Sequence, residues 1–100
     1  MILQVCFQKV RQDKWDEFAE LSKRWDAFEE RLGFSPEKRY SCLFGGHDSD
    51  TCLSWHEWES MSAMEATYER ATADPEWEEL IASGSDILDG LQMEIYSEVP

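Results

Sequence analysis

The stretch TCLSWHEWESMSAMEA, residues 51–66, contains the change of period that decides the fold. Over Thr51–Trp58, side chains alternate, with Leu53 and Trp55 on one side and Cys52, Ser54, His56 and Trp58 on the other, the two-residue period of a strand. Beyond Ser60 the spacing lengthens: Met61, Met64, Tyr68 and Ala71 recur at about 3.6 residues, the period of a helix. The helix starts near Ser60 or Ser62, and Ser62 with Glu65 has the form of a capping box. A strand therefore runs directly into a capped helix.

Upstream, Gly45-Gly46-His47-Asp48-Ser49-Asp50 is a turn-forming run without apolar residues. Tyr40 to Phe44 precedes it as the first arm of a hairpin. Further back, Phe18, Leu21, Trp25, Phe28 and Leu32 fall on one stripe of a helix expected over Asp13–Leu32. Asp13 is the expected cap, Asp16 and Glu17 suit the positive end of the helix dipole, and Gly33 followed by Pro36 stops the helix. The first ten residues alternate again, with Leu3, Val5 and Phe7 on the apolar side.

Downstream, Asp74-Pro75-Glu76-Trp77 restarts the second helix, with Asp74 capping and Pro75 in the first turn. Leu91, Met93 and Ile95 then alternate with Gln92, Glu94 and Tyr96 in a final strand. The order β-α-β-β-α-β points to one α+β domain over residues 1–100, of the ferredoxin-like split β-α-β type. Its four-stranded antiparallel sheet carries two helices on one face, with the first and third strands central.

Composition narrows the classes. With 42% apolar residues, five tryptophans and thirteen aromatics, 100 residues can fill one core. The net charge of −13, from 22 acidic and 9 basic residues, disfavours nucleic acid and anionic membranes, which need clustered Lys and Arg. The only adjacent basic pairs are Lys23-Arg24 and Lys38-Arg39. No apolar run reaches the ~20 residues of a membrane helix, and no signal segment is read at the start. The odd count of three cysteines cannot form a complete disulfide framework, which suits a reducing cytoplasm, the expected location.

A sheet with helices on one side leaves the other to be wetted or covered. Leu3, Val5, Phe7, Leu53, Trp55, Leu91, Met93 and Ile95 are expected under the helices. Gln4, Cys6, Gln8, Cys52, Ser54, His56, Trp58, Gln92, Glu94 and Tyr96 are then expected on the far side, a mixture that a second copy of the chain would cover. A homodimer follows.

The run Trp58-Glu59-Ser60-Met61-Ser62-Ala63-Met64-Glu65 and the Asp74-Pro75-Glu76-Trp77 turn resemble the dimeric α+β barrel superfamily, which holds antibiotic-biosynthesis-monooxygenase-like and NIPSNAP-like proteins. The resemblance spans nearly the whole chain through the order of its elements. It implies two protomers closing their sheets into a barrel, with small-molecule pockets between sheet and helices. Its members include cofactor-free oxygenases, haem-degrading enzymes, isomerases and many proteins without known activity. Haem-degrading relatives carry their iron ligand on the second helix, whereas this chain has no histidine between Met61 and Leu88.

His56, on a central strand and with a pKa near neutrality, is the candidate proton-transfer residue. Glu94 or Tyr96 would orient it. Trp58, Tyr96, Glu94, Cys6 and Cys52 are the candidate ligand-binding residues. Cys6, Cys42 and Cys52 with His56 lack metal-binding spacing, so neither metal nor cofactor is expected. Trp15, Trp25, Trp77 and Trp55 are assigned to the core, and the acidic residues of the first helix to a solvated face. The leading reading is a homodimeric barrel protein that binds a small hydrophobic or aromatic molecule. A cofactor-independent monooxygenase or isomerase using His56 as base is the alternative, and a non-catalytic interaction module is the third.

Overall fold

The structure, a computed structural model, describes residues 1–100. It contains β1 (Ile2–Val10), α1 (Trp15–Leu32), β2 (Lys38–Ser41), β3 (Thr51–Trp58), α2 (Met61–Thr72), α3 (Pro75–Ser85) and β4 (Leu88–Ser97). The sheet order is β2-β3-β1-β4 and every neighbouring pair is antiparallel. The split β-α-β arrangement is as expected, with β1 and β3 central.

Helix ends follow local chemistry, with two corrections to the expected caps. α1 begins at Trp15, because Asp13 lies in a turn closed by the Lys14 N–H donating to the Arg11 carbonyl at 2.9 Å. Ser60, not Ser62, caps α2, its hydroxyl accepting the Ala63 N–H at 3.1 Å. Asp74 caps α3 by accepting from the Glu76 N–H at 3.0 Å. Pro75 cannot donate a helical hydrogen bond, so the expected second helix is divided into α2 and α3. β2 is shorter and earlier than the expected Tyr40–Phe44, leaving Leu43 and Phe44 almost fully exposed in the β2–β3 loop.

The strand register overturns the assignment of the faces. Gln4 pairs with His56 on one side and Ile95 on the other, and Cys6 with Ser54 and Met93. Side chains opposite one another share a face. The helices cover the face bearing Gln4, Cys6, Ser54, His56 and Trp58, as the contacts of Gln4 with Tyr68 and of His56 with Glu29 show. Leu3, Val5, Phe7, Leu53 and Trp55 occupy the opposite face, which no helix covers. Of the strands assigned to the helix side, only β4 has the expected parity. Its Leu91, Met93 and Ile95 align with the even-numbered residues of β1, yet remain exposed at the sheet edge. Alternation separates two faces but does not say which one the helices cover.

The polar residues on the inner face are accommodated because they bind each other. The Gln4 carbonyl accepts from the Trp58 indole at 2.9 Å, and its amide donates to the Tyr68 hydroxyl at 2.7 Å. Around them Phe18, Leu21 and Phe28 of α1, Met64 and Ala71 of α2, and Leu80 of α3 form the apolar core with Val10, Phe34, Cys52, Trp58 and Ile87. Trp25 stands edge-on to Phe28 and to Trp77, and with Trp15 these tryptophans form a half-buried rim. Trp55 belongs to the open face, not to this core. No helix is long and apolar enough to cross a membrane.

Phe28 is 1% exposed. Truncating it to alanine is expected to lower unfolding free energy by about 3–5 kcal/mol. Trp25→Ala should cost less, because its ring is already half wet. Urea denaturation of both variants measures the difference, and an equal loss would contradict this placement of the core.

Candidate functional site

The site begins where α1 ends. Gly33 takes φ 87°, a left-handed conformation open to glycine at little cost, and its N–H closes on the carbonyls of Glu29 and Glu30. The Phe34 N–H also returns to the Glu29 carbonyl at 2.9 Å, and the Phe34 ring is buried. This reversal carries Ser35-Pro36-Glu37 across His56 of β3.

Three polar side chains meet there. The His56 ring is 4% exposed. Its Nδ1 lies 2.9 Å from the Ser35 carbonyl, an acceptor only, so Nδ1 carries the proton of that hydrogen bond. Its Nε2 faces Glu29 at 3.4 Å and Glu37 at 3.6 Å. Neither contact has hydrogen-bond geometry, so Nε2 is a buried nitrogen without a hydrogen-bond partner, and charge acts across the gap. Arg39 holds Glu37 at 3.0 Å and reaches Asp26 at 2.9 Å.

The electrostatics follow from this packing. Burial raises Glu29 to about 7. Burial also opposes ionisation of Glu37, but His56, Glu29 and the Arg39 charge outweigh it and hold Glu37 at about 2. For His56, burial works against the imidazolium and the two carboxylates reverse the balance, raising it to about 9. Burial, reinforced by the Glu37 and Glu29 charges, pushes the Cys6 thiol to about 11. His56 is thus no free base near neutrality. Glu29 is the member of the trio poised to exchange a proton there.

Glu29 and Glu37 also line a cleft of about 370 Å³ with Asp26, Glu30, Phe34, Ser35 and Pro36. Four carboxylates and one aromatic ring make it an acidic opening. One donor atom from each of Glu29, Glu37 and His56 lies within 4.8 Å of the others, close enough to share a cation.

The residues singled out from sequence divide between the two faces. His56, Trp58, Cys6 and Cys52 all lie on the helix-covered face. Trp58 packs 6.0 Å from the His56 ring and 5.4 Å from Phe34, and Cys52 is buried in the apolar core. Glu94 and Tyr96 lie on the open face, hydrogen-bonded to each other at 2.6 Å, so neither orients His56. Ser35 and the two glutamates take that role. Glu29 corrects the assignment of the α1 acids to solvent: its direction lies about 20° from that of Phe18 on a helical projection, at the border of the apolar stripe. That position was the available signal. Glu37 sits in a loop and showed none.

No known family profile matches the chain, and no curated protein matches it by sequence. Solved structures do match. A NIPSNAP domain protein from Burkholderia xenovorans superimposes with a TM-score of 0.80 at 15% identity, covering 99% of this chain and 95% of that one. A NIPSNAP family protein from Agrobacterium tumefaciens str. C58 gives 0.81 at 15% identity, covering 98% and 85%. SnoaB, a cofactor-independent oxygenase from Streptomyces nogalater, gives 0.70 at 16% identity, covering 97% and 91%. The chain has the fold shared by NIPSNAP domains and antibiotic-biosynthesis-monooxygenase-like proteins, as the sequence resemblance implied. At these identities the likeness concerns the fold alone.

The trio makes stability depend on pH. Glu29, raised from 4.5 to about 7, contributes fully below 4.5, and its contribution is lost as pH climbs through 7. His56, raised from 6.5 to about 9, contributes fully below 6.5, with loss through 9. Glu37, lowered from 4.5 to about 2, contributes above 4.5 and fades as pH falls through 2. Chelator-treated protein should therefore lose more stability between pH 5 and 9.5 than a Glu29→Gln, His56→Gln double variant. Parallel urea midpoints across that range would show the groups to be uncoupled from folding.

Proposed function

We propose that the protein works as a homodimeric barrel that holds a small organic molecule in the cleft between α1 and the loop that follows it. One observation carries this reading: beside the apolar core, the space between sheet and helices holds a buried polar group that a purely structural core would lack. Burying Gln4, Ser54, His56 and Glu29 costs desolvation that well-packed apolar side chains would avoid. That cost favours a binding or chemical role over a passive interaction module.

The acidic lining refines the expected ligand. Phe34 and the Pro36 ring offer the cleft apolar surface, and the four carboxylates favour a positively charged or hydrogen-bond-donating group. A small aromatic molecule bearing an amine suits it better than a purely hydrophobic one.

The occupant of the open face is a second copy of the chain. Half-buried Leu3, Phe7, Leu53 and Trp55 and the exposed Tyr40 surround the buried Val5 there, with His47 stacked on Phe7, and form an apolar surface of a kind that monomeric proteins seldom leave in water. Its charges are self-complementary: Lys38 lies at the β2 edge and Glu94 at the β4 edge. A two-fold axis parallel to the strands would set each β2 edge over the other copy's β4 edge.

A cofactor-independent oxygenase or isomerase is the second reading. The shared fold with SnoaB and the histidine–carboxylate group at the inner end of the cleft support it.

Light scattering after size exclusion should give twice the chain mass, and Trp55→Glu should weaken the dimer by about 100-fold or more, as for a central aromatic anchor. A monomeric wild type would remove the dimer. For the cleft, millimolar benzylamine should raise the melting temperature and benzoate should not, with the benzylamine shift reduced in Glu30→Gln. Equal responses to both compounds would remove the acidic cleft as the binding site.

A further inference from the structure

We infer that His56, Glu29 and Glu37 form a binding site for a first-row divalent transition-metal ion. The inference depends neither on the dimer nor on the organic occupant of the cleft.

The spacing fits an ion. With bonds of about 2.0–2.1 Å to nitrogen and carboxylate oxygen, tetrahedral ligands stand about 3.3–3.4 Å apart. The carboxylate oxygens lie 3.4 and 3.6 Å from His56 Nε2, and all three donor atoms stand within 4.8 Å of one another, so side-chain shifts of about an ångström would bring them to that spacing. Direct pairing between these groups would be expected at about 2.7–2.9 Å.

The histidine is prepared for the task. Its Nδ1 proton goes to the Ser35 carbonyl, which fixes the ring and aims Nε2 at the carboxylates, where a bound ion would take the place of the Nε2 proton. A carbonyl accepting from the far ring nitrogen commonly fixes the tautomer and orientation of a metal-bound histidine. Nε2 is buried without a partner, a state that is costly unless something binds it. Arg39 secures Glu37 in the same supporting way at 3.0 Å.

The donor set selects the class of ion. One imidazole and two carboxylates suit Zn²⁺, Mn²⁺ or Fe²⁺, whereas Ca²⁺ and Mg²⁺ require more oxygen ligands. Glu29 and Glu37 both line the cleft, so water or a ligand entering there can reach the ion's remaining positions. The arrangement of three protein ligands and one accessible position is that of a catalytic rather than a structural site.

Chelator-treated full-length protein is titrated with Zn²⁺ by calorimetry and with Co²⁺ by visible absorption. The expected result is one equivalent bound with a Kd of about 10 μM or tighter, and a Co²⁺ spectrum of a low-coordinate nitrogen–oxygen site. His56→Gln and Glu37→Gln should each weaken binding at least about tenfold and remove that spectrum, while Glu79→Gln, an exposed acid on α3 outside the cleft, should leave both intact. Should His56→Gln fail to fold, Glu29→Gln, which preserves side-chain shape, decides the matter by the same readouts. Several weak equivalents bound equally by the folded variants, or no binding at about 1 mM metal, would overturn the inference.

Discussion

Gln4 and His56 stand opposite one another on the two central strands, and because side chains alternate along a strand, that pairing commits every other residue of both strands to a face. Turning either strand over by a slip of one position would send His56 out to the open face or bring Leu3 and Val5 under the helices. The observed register does the reverse. It encloses a hydrogen-bonded group of Gln4, Trp58 and Tyr68 and leaves a sheet of apolar side chains without a helix above it. The inner site and the open surface are two consequences of one pairing.

An interior of this kind is stable only if its polar atoms are satisfied, since each unmet group costs the desolvation of its burial. Gln4 meets the condition through both ends of its amide. His56 meets it at Nδ1 but not at Nε2, which two carboxylates face at 3.4 and 3.6 Å without hydrogen-bond geometry. Gly33 maintains this geometry: its left-handed turn joins the end of α1, with Glu29, to the loop that brings Ser35 and Glu37 over the ring. Local backbone conformation thereby sets the chemistry of a site assembled from α1, a loop and β3.

The two faces point to separate tasks. The open face is apolar with opposite charges at its edges, which suits association of like with like. Around His56 the covered face is polar, with carboxylates at the cleft and aromatic rings beneath, which suits a small molecule or an ion. Proteins of the same fold include SnoaB, an oxygenase that works without a cofactor. The histidine–carboxylate trio adds a local feature that the fold alone does not provide.

Much of the architecture was legible in the chain. Gly33, Pro75 and the Asp74 cap mark breaks in the backbone, and the change from a two-residue to a 3.6-residue period at Trp58–Met61 identifies strand and helix. These signals are local and survive in the linear order. The apolar stripe of α1 likewise located Phe28 in the core, and Glu29 lay beside that stripe for a reader to notice. The side of the sheet that the helices cover, the meeting of Glu29 with Glu37, and the separation of Glu94 and Tyr96 from His56 had no local mark. They arise when strands pair in one register and a helix end folds back over a strand, and only the packed chain brings such distant residues within a few ångströms.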